Sequence, residues 1–143
     1  MPVRKGSAEW KGNLKEGKGT VSTETGTLKD VAYDFVSRFE QGSHTNPEEL
    51  VGAAHAACFS MAFANNLSNA GHKVNSIKTE DKVTIEKKEA GFTITKIEVN
   101  TVGNVEGIDD ATFQKMAEEA KKGCPVSRAL TGVEIVLNAT LNK

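Results

Sequence analysis

The sequence is poor in cysteine, and its cysteines form no recognisable pair. Cys58 and Cys124 are the two cysteines in 143 residues. There is no CxxC and no HxxxH, so the common metal-ligand spacings and the exposed redox dithiol are absent. No GxSxG, Walker A or GxGxxG motif occurs, and Gly17-Lys18-Gly19 lacks the rest of a phosphate loop. No apolar run is long enough to span a bilayer. The start, Met-Pro-Val-Arg-Lys-Gly-Ser, has no apolar signal-peptide core, so a cytoplasmic chain is expected. Thiols are kept reduced there, which argues against a permanent structural disulfide. Charge of one sign is also missing: 18 basic residues face 19 acidic ones, without like-charge blocks. Neither nucleic acid nor a membrane is therefore expected as a partner. The length, with no linker or repeat, reads as one domain over 1–143.

Positive charge is absent from one stretch in particular. No Lys or Arg lies between Phe39 and His72, and within that span runs Leu50-Val-Gly-Ala-Ala-His-Ala-Ala-Cys58-Phe-Ser-Met-Ala-Phe-Ala64. A thiol in such surroundings is normally inert, because burial disfavours the thiolate. Cys58 is then either a small core residue or a reactive group whose activating cation comes from elsewhere in the fold.

The rest reads as an α+β chain with a mainly antiparallel sheet. Residues 3–39 look like short strands broken by glycines. Val31, Tyr33, Phe35 and Phe39 share one parity, and Arg38 the other. Residues 46–70 read as a helix with Asn46 as N-cap, Pro47 at N1, Glu49 closing a capping box and Gly71 as the stop. This helix is apolar on nearly every face, too much for one short chain to cover, and a second subunit is expected against it. Residues 74–86 and 92–102 read as strands around Glu89-Ala90-Gly91. Asp109 caps a helix over 110–122, with an apolar stripe of Phe113, Met116, Ala117 and Ala120. Cys124-Pro125 opens a short helical turn, and Val133 to Leu141 alternate as a last strand.

The arginines are Arg4, Arg38 and Arg128. Arg38 precedes the loop into the Cys58 helix and is either solvated or paired. Glu48 is its natural partner, since Glu49 is accounted for by the cap; Glu48 could equally serve the helix dipole alone. Cys124 at a helix start is either punctuation or a modestly acidified thiol. His55 is either a base one turn before Cys58 or a satisfied core histidine. A buried cysteine and a helix-start cysteine are compatible with a peroxidatic and resolving pair.

The run Thr45-Asn-Pro-Glu-Glu-Leu-Val-Gly-Ala-Ala-His-Ala-Ala-Cys58-Phe-Ser-Met-Ala62 resembles the signature of the OsmC/Ohr family. Ala120-Lys-Lys-Gly-Cys-Pro-Val-Ser127 resembles its second-cysteine motif, and Trp10-Lys-Gly and Lys18-Gly-Thr-Val-Ser-Thr-Glu24 extend the likeness over essentially the whole chain. The osmotically inducible branch fits better than the organic-hydroperoxide-resistance branch. The former takes its arginine from the strand before the helix, matching Arg38; the latter takes it from an N-terminal loop that has no arginine here. The resemblance implies an OsmC-like fold, with sheets wrapped around two central helices in an intertwined homodimer whose active sites lie at the subunit interface. It implies a thiol-dependent peroxidase reducing organic hydroperoxides, and hydrogen peroxide less well. Cys58 would be peroxidatic, Cys124 resolving, and Arg38 with Glu48 the activating pair. No metal or bound cofactor is implied, and an external dithiol, a lipoylated protein or a small molecule, would supply electrons. The competing reading is a non-catalytic small-ligand-binding stress dimer in which both cysteines are core.

Overall fold

The computed structural model describes residues 1–142. The chain forms two compact units, one from Met1 to Leu50 and one from Val51 onward. In the first, β1 (Gly6–Lys11), β2 (Lys18–Thr23) and β3 (Val31–Tyr33) make an antiparallel sheet in the order β1-β2-β3. Trp10 and Tyr33 both pair with Gly19 across β2. Their rings meet above that small residue with centroids 5.5 Å apart.

The strand expected to continue to Phe39 stops at Tyr33. Residues Phe35–Phe39 form a one-turn helix, α1. The Asp34 carboxylate accepts the Ser37 N–H at 2.9 Å, and the Ser37 hydroxyl accepts the Asp34 N–H at 2.9 Å. This closed capping box satisfies two backbone donors locally and outweighs the β propensity of Phe35, Val36 and Phe39. The alternating face assigned to these residues is therefore wrong, and Arg38 lies in the last helical turn rather than on a strand.

Helix α2 (Pro47–Asn69) follows. Asn46 accepts the Glu49 N–H at 2.8 Å, as an N-cap should. The Glu49 carboxylate accepts from the Thr45 hydroxyl at 2.7 Å, so its partner is a side chain rather than the backbone of the expected box. At the other end His72 N–H bonds to Leu67 O and Gly71 N–H to Ser68 O, a Schellman motif that needs the positive φ of Gly71, +90°.

In the second unit, β4 (Lys73–Lys88) and β5 (Gly91–Glu106) form a long antiparallel hairpin. Helices α3 (Asp110–Gly123) and α4 (Pro125–Ala129) then carry the chain back, so β6 (Glu134–Leu141) pairs parallel to β5 in the order β4-β5-β6. Ile97, Val99, Thr101, Gly103 and Val105 point inward with the strand period of two. On them pack Phe59, Phe63 and Leu67 from α2, and Phe113, Ala117 and Ala120 from α3. Phe63 lies 5.6 Å from Phe59 and 5.0 Å from Phe113, centroid to centroid. This face of α2 is covered. Ala53, Ala54, Ala57 and Met61 on another face are exposed, Met61 at 77%.

Gly103 lets α3 reach the sheet, since a Cβ there would lie 2.5 Å from Phe113 Cε1. Gly103→Ala should destabilise the protein by about 1–3 kcal/mol through overpacking, read as a lower denaturant midpoint. An unchanged midpoint would show that the α3 contact is loose.

Candidate active site

The thiols predicted from opposite ends of the second unit are brought together. Cys58 lies midway along α2 and Cys124 at the N-cap of α4, and their sulfurs are 2.8 Å apart as free thiols. Cys124 is fully buried; Cys58 is partly exposed beside the uncovered stripe of Ala54, Ala57 and Met61. A 2.8 Å approach needs little motion to become a bond of about 2.05 Å.

The two sulfurs differ electrostatically. Burial pushes the Cys58 thiol up, the neighbouring Cys124 thiol adds to this, and one N–H from Val126 only partly offsets it. Burial also opposes ionisation of Cys124, but it is outweighed by hydrogen bonds from Cys58, from the N–H and hydroxyl of Ser127, and from the Val126 N–H. Cys124 is therefore held below the ordinary thiol range. The helix-start placement expected for Cys124 is what the structure has, and α4's first amides contribute to the lowering. Helix α2 itself carries no Lys or Arg. Arg128 is exposed on the last turn of α4.

Arg38 and Glu48 meet, as the sequence suggested, in the first unit. Arg38 Nε and Nη2 each lie 3.0 Å from Glu48 Oε1. The expected two-oxygen fork does not form: both nitrogens converge on one oxygen, while Glu48 Oε2 is buried and finds no donor among the described residues. The pair is fixed from both sides. Asn46, which caps α2, also donates to Ser37 O of α1 at 3.0 Å. The guanidinium stacks over Phe39 at 5.2 Å. Around Arg38 lies an apolar hollow formed by Trp10, Leu14, Tyr33, Phe35 and Phe39.

His55 does not face Cys58. It is fully buried, with Nδ1 against Asp81 Oδ2 and Nε2 2.7 Å from Ser127 Oγ. It is the satisfied core histidine of the two alternatives, and its partners were missed in the sequence. A signal existed for Asp81: it shares the inward parity of β4 with Ile77, Thr79, Val83 and Ile85, and a buried carboxylate there needs a partner. Ser127 had none beyond its place after Cys124-Pro125. Among the described residues no group of three or more His, Cys, Asp or Glu is placed to hold a metal ion. No described helix is long and apolar enough to cross a membrane.

Comparison with known proteins gives a consistent picture. A family model described as OsmC-like protein matches residues 40–138. Peroxiredoxin OsmC of Escherichia coli strain K12 is 51% identical over 138 residues, which is 96% of this chain and 96% of that one. The crystal structure of the organic hydroperoxide resistance protein OhrB of Bacillus subtilis matches with a TM-score of 0.71 at 26% identity, covering 95% of this chain and 98% of that one. An organic hydroperoxide resistance protein from Elizabethkingia anophelis, with thiocyanate bound, matches with a TM-score of 0.74 at 28% identity, covering 99% of each chain.

Asp34 is the cap on which the Arg38 turn rests. The Ser37 N–H holds its carboxyl below the ordinary value, burial opposes this, and His44 and then Lys18 add to it. A depressed carboxyl stabilises the fold above its unfolded pKa of about 3.9, and that contribution fades as pH falls through the lower folded value. Below pH of about 4, amide-exchange protection at Ser37 and Arg38 should drop before that of Phe113 in α3. Equal loss at all three positions would show that α1 has no separate acid-labile cap.

Proposed function

Because the chain belongs to the OsmC-like protein family, we propose that it is a thiol-dependent peroxidase that reduces organic hydroperoxides to alcohols, and hydrogen peroxide less well. The observation that carries the reading is the pair of reduced thiols 2.8 Å apart. Cys58, as thiolate, attacks one peroxide oxygen; the O–O bond breaks and the alcohol leaves. Cys58 becomes a sulfenic acid, Cys124 condenses with it to a disulfide, and water is released. An external dithiol, a lipoylated protein or a small molecule, resets the pair by exchange. Apolar surroundings favour a peroxide with an organic tail. The hollow of Trp10, Leu14, Tyr33, Phe35 and Phe39 beside Arg38 suits such a tail.

Arg38, oriented by Glu48, is the cation that offsets the desolvation of Cys58. The reading places it in the site of a second subunit of a homodimer. Two features support this. Glu48 and Cys58 are separated along α2 by a rise of about 15 Å. The Ala53, Ala54, Ala57 and Met61 stripe beside Cys58 is uncovered in one chain.

Peroxide consumption with a dithiol reductant tests the activity. Wild type should reduce an organic hydroperoxide and lose both thiols after one equivalent; Cys58→Ser should lose turnover while staying folded. Wild type that keeps both thiols would make the cysteines core residues of a non-catalytic dimer.

Arg38→Ala should slow Cys58 alkylation at neutral pH by about tenfold for each unit the thiol rises, with recovery at high pH. Mixing Cys58→Ser with Arg38→Ala subunits should then restore activity, because a mixed dimer holds one intact shared site. No recovery on mixing, with subunit exchange demonstrated, would mean that each site is built from one chain.

A further inference from the structure

Beside the two thiols lies a buried polar contact that the peroxidase chemistry above leaves unused. His55 of α2 meets Ser127 of α4, with Nε2 2.7 Å from Oγ. Its other ring nitrogen, Nδ1, is held by the carboxylate of Asp81 on β4. His55 and the Asp81 side chain are fully screened from solvent, and Ser127 is 7% exposed. All three residues lie in the second unit, together with both thiols.

The spacing of this contact matches that of the thiols. His55 precedes Cys58 by three residues on α2, so the two side chains are neighbours on the helix surface, separated by a rise of about 4.5 Å. Cys124 is the N-cap of α4, and Ser127 lies three residues further on, in its first turn. The Arg128 N–H closes that turn on Cys124 O at 3.0 Å. Two side-chain rungs therefore join α2 to α4: His55 to Ser127 at 2.7 Å, and Cys58 to Cys124 at 2.8 Å. The polar rung is the stronger, because a thiol is a weak donor and a weak acceptor. A hydroxyl both donates and accepts, so this rung holds with Nε2 bare or protonated. Asp81 anchors the imidazole to the sheet as well as to its own helix. The five residues of α4 are too few to hold their place as an isolated helix. The Cys124 N–H on Ala120 O, at 2.9 Å, ties its start to α3, and Ser127 ties it to α2.

We propose that Ser127, His55 and Asp81 are positioning residues for disulfide formation: the His55–Ser127 rung holds the start of α4 against α2 and so sets the spacing of Cys58 and Cys124. This rests on the reading that Cys124 resolves oxidised Cys58. In that step the Cys124 sulfur attacks the sulfenic sulfur of Cys58. The S–S bond forms, the S–O bond breaks, and the Cys124 proton leaves with the hydroxyl as water. Cys58 sulfur is reduced, Cys124 sulfur is oxidised, and no further oxidant is needed. The three residues act by keeping the sulfurs close, which makes the closure an oriented intramolecular reaction. With the rung broken, α4 samples positions in which Cys124 is out of reach. The Cys58 sulfenic acid then persists and is open to further oxidation.

The equilibrium between dithiol and disulfide reads this spacing and needs no peroxide. In buffers of reduced and oxidised dithiothreitol, the fraction of protein carrying the intramolecular disulfide, measured by mass after alkylation, gives the effective concentration of one thiol at the other. A residue that stabilises both redox states equally leaves that equilibrium unchanged; a positioning residue shifts it. Ser127→Ala removes the rung from the α4 side. His55→Asn removes it from the α2 side, because the shorter amide can still donate to Asp81 but falls short of Ser127. Each should lower the equilibrium constant for disulfide formation by about fivefold to tenfold, the reach of one net hydrogen bond. The double variant should fall no further than the larger single effect, since both changes break one contact. Ser127→Thr keeps the hydroxyl and should stay close to wild type. Constants within a factor of about two of wild type in both Ser127→Ala and His55→Asn overturn the proposal. So do additive losses in the double variant, or a loss in Ser127→Thr equal to that in Ser127→Ala, either of which would make the effect one of packing. A wild-type protein that forms the disulfide in dithiothreitol buffer but keeps both thiols under an organic hydroperoxide overturns the peroxidase reading alone, since the equilibrium does not depend on that activity.

Discussion

Desolvation of the Cys58 sulfur is the constraint from which the rest of the site follows. Its position on α2 places the thiol among alanines, Phe59 and Met61, where burial raises its pKa. An apolar wall suits an organic peroxide and simultaneously disfavours the thiolate that must attack it. The two requirements conflict within one helix, and the sequence of that helix cannot resolve them because it contains no Lys or Arg. Resolution has to come from outside. In the function proposed above, the guanidinium of the capped α1 turn in a second subunit meets that need, while the start of α4 places a second sulfur 2.8 Å from Cys58.

The second thiol shows how the same burial can have the opposite outcome. Cys124 is more deeply buried than Cys58, yet it is held low because the Cys58 thiol, Ser127 and Val126 aim donors at it. Burial alone does not set a thiol's acidity; the number of donors that survive burial does. An unassisted Cys124 would therefore carry charge more readily than Cys58. For Cys58 to be the attacking sulfur, an extra positive charge has to favour its thiolate specifically. Arg38 fits that role only if the pair that holds it is rigid. Asp34 capping Ser37, and Asn46 binding Ser37 O while capping α2, provide that rigidity.

Long-period features were legible in the sequence. The α2 boundaries follow from Asn46, Pro47 and Gly71, and the α3 face follows from Phe113, Met116, Ala117 and Ala120, because caps and helical spacing are local signals. Alternation marked β6, and the turn at Glu89-Ala90-Gly91 marked the β4–β5 hairpin. The failures come from contacts and connections that local pattern does not encode. Phe35-Val36-Ser37-Arg38-Phe39 has strand-like composition, and the reciprocal bonds between Asp34 and Ser37 overrule it. The parallel register of β6 depends on the crossover through α3 and α4, which periodicity cannot report. Cys58, Cys124, Arg38 and Glu48 were singled out through the family motif and the missing positive charge, and the structure brings the two thiols together and Arg38 to Glu48. Asp81 and Ser127 were not, because their link through His55 joins three elements far apart in sequence.

Two carboxylates show what the site costs in stability. Glu48 gives one oxygen to Arg38, and Asp81 gives one to His55; in each the second oxygen is buried with no donor among the described residues. A buried acceptor left unsatisfied costs about 1–3 kcal/mol, more for a charged group. A stability-driven core would replace either with an apolar residue of similar volume. Each instead holds a nitrogen side chain in place, the guanidinium of Arg38 in one case and the imidazole of His55 in the other. Concentrating the interaction on one oxygen orients the partner about a single axis. Local consistency is broken at these two carboxylates and kept through the Phe59, Phe63 and Phe113 core, which is the distribution expected when polar strain is retained for chemistry rather than for folding.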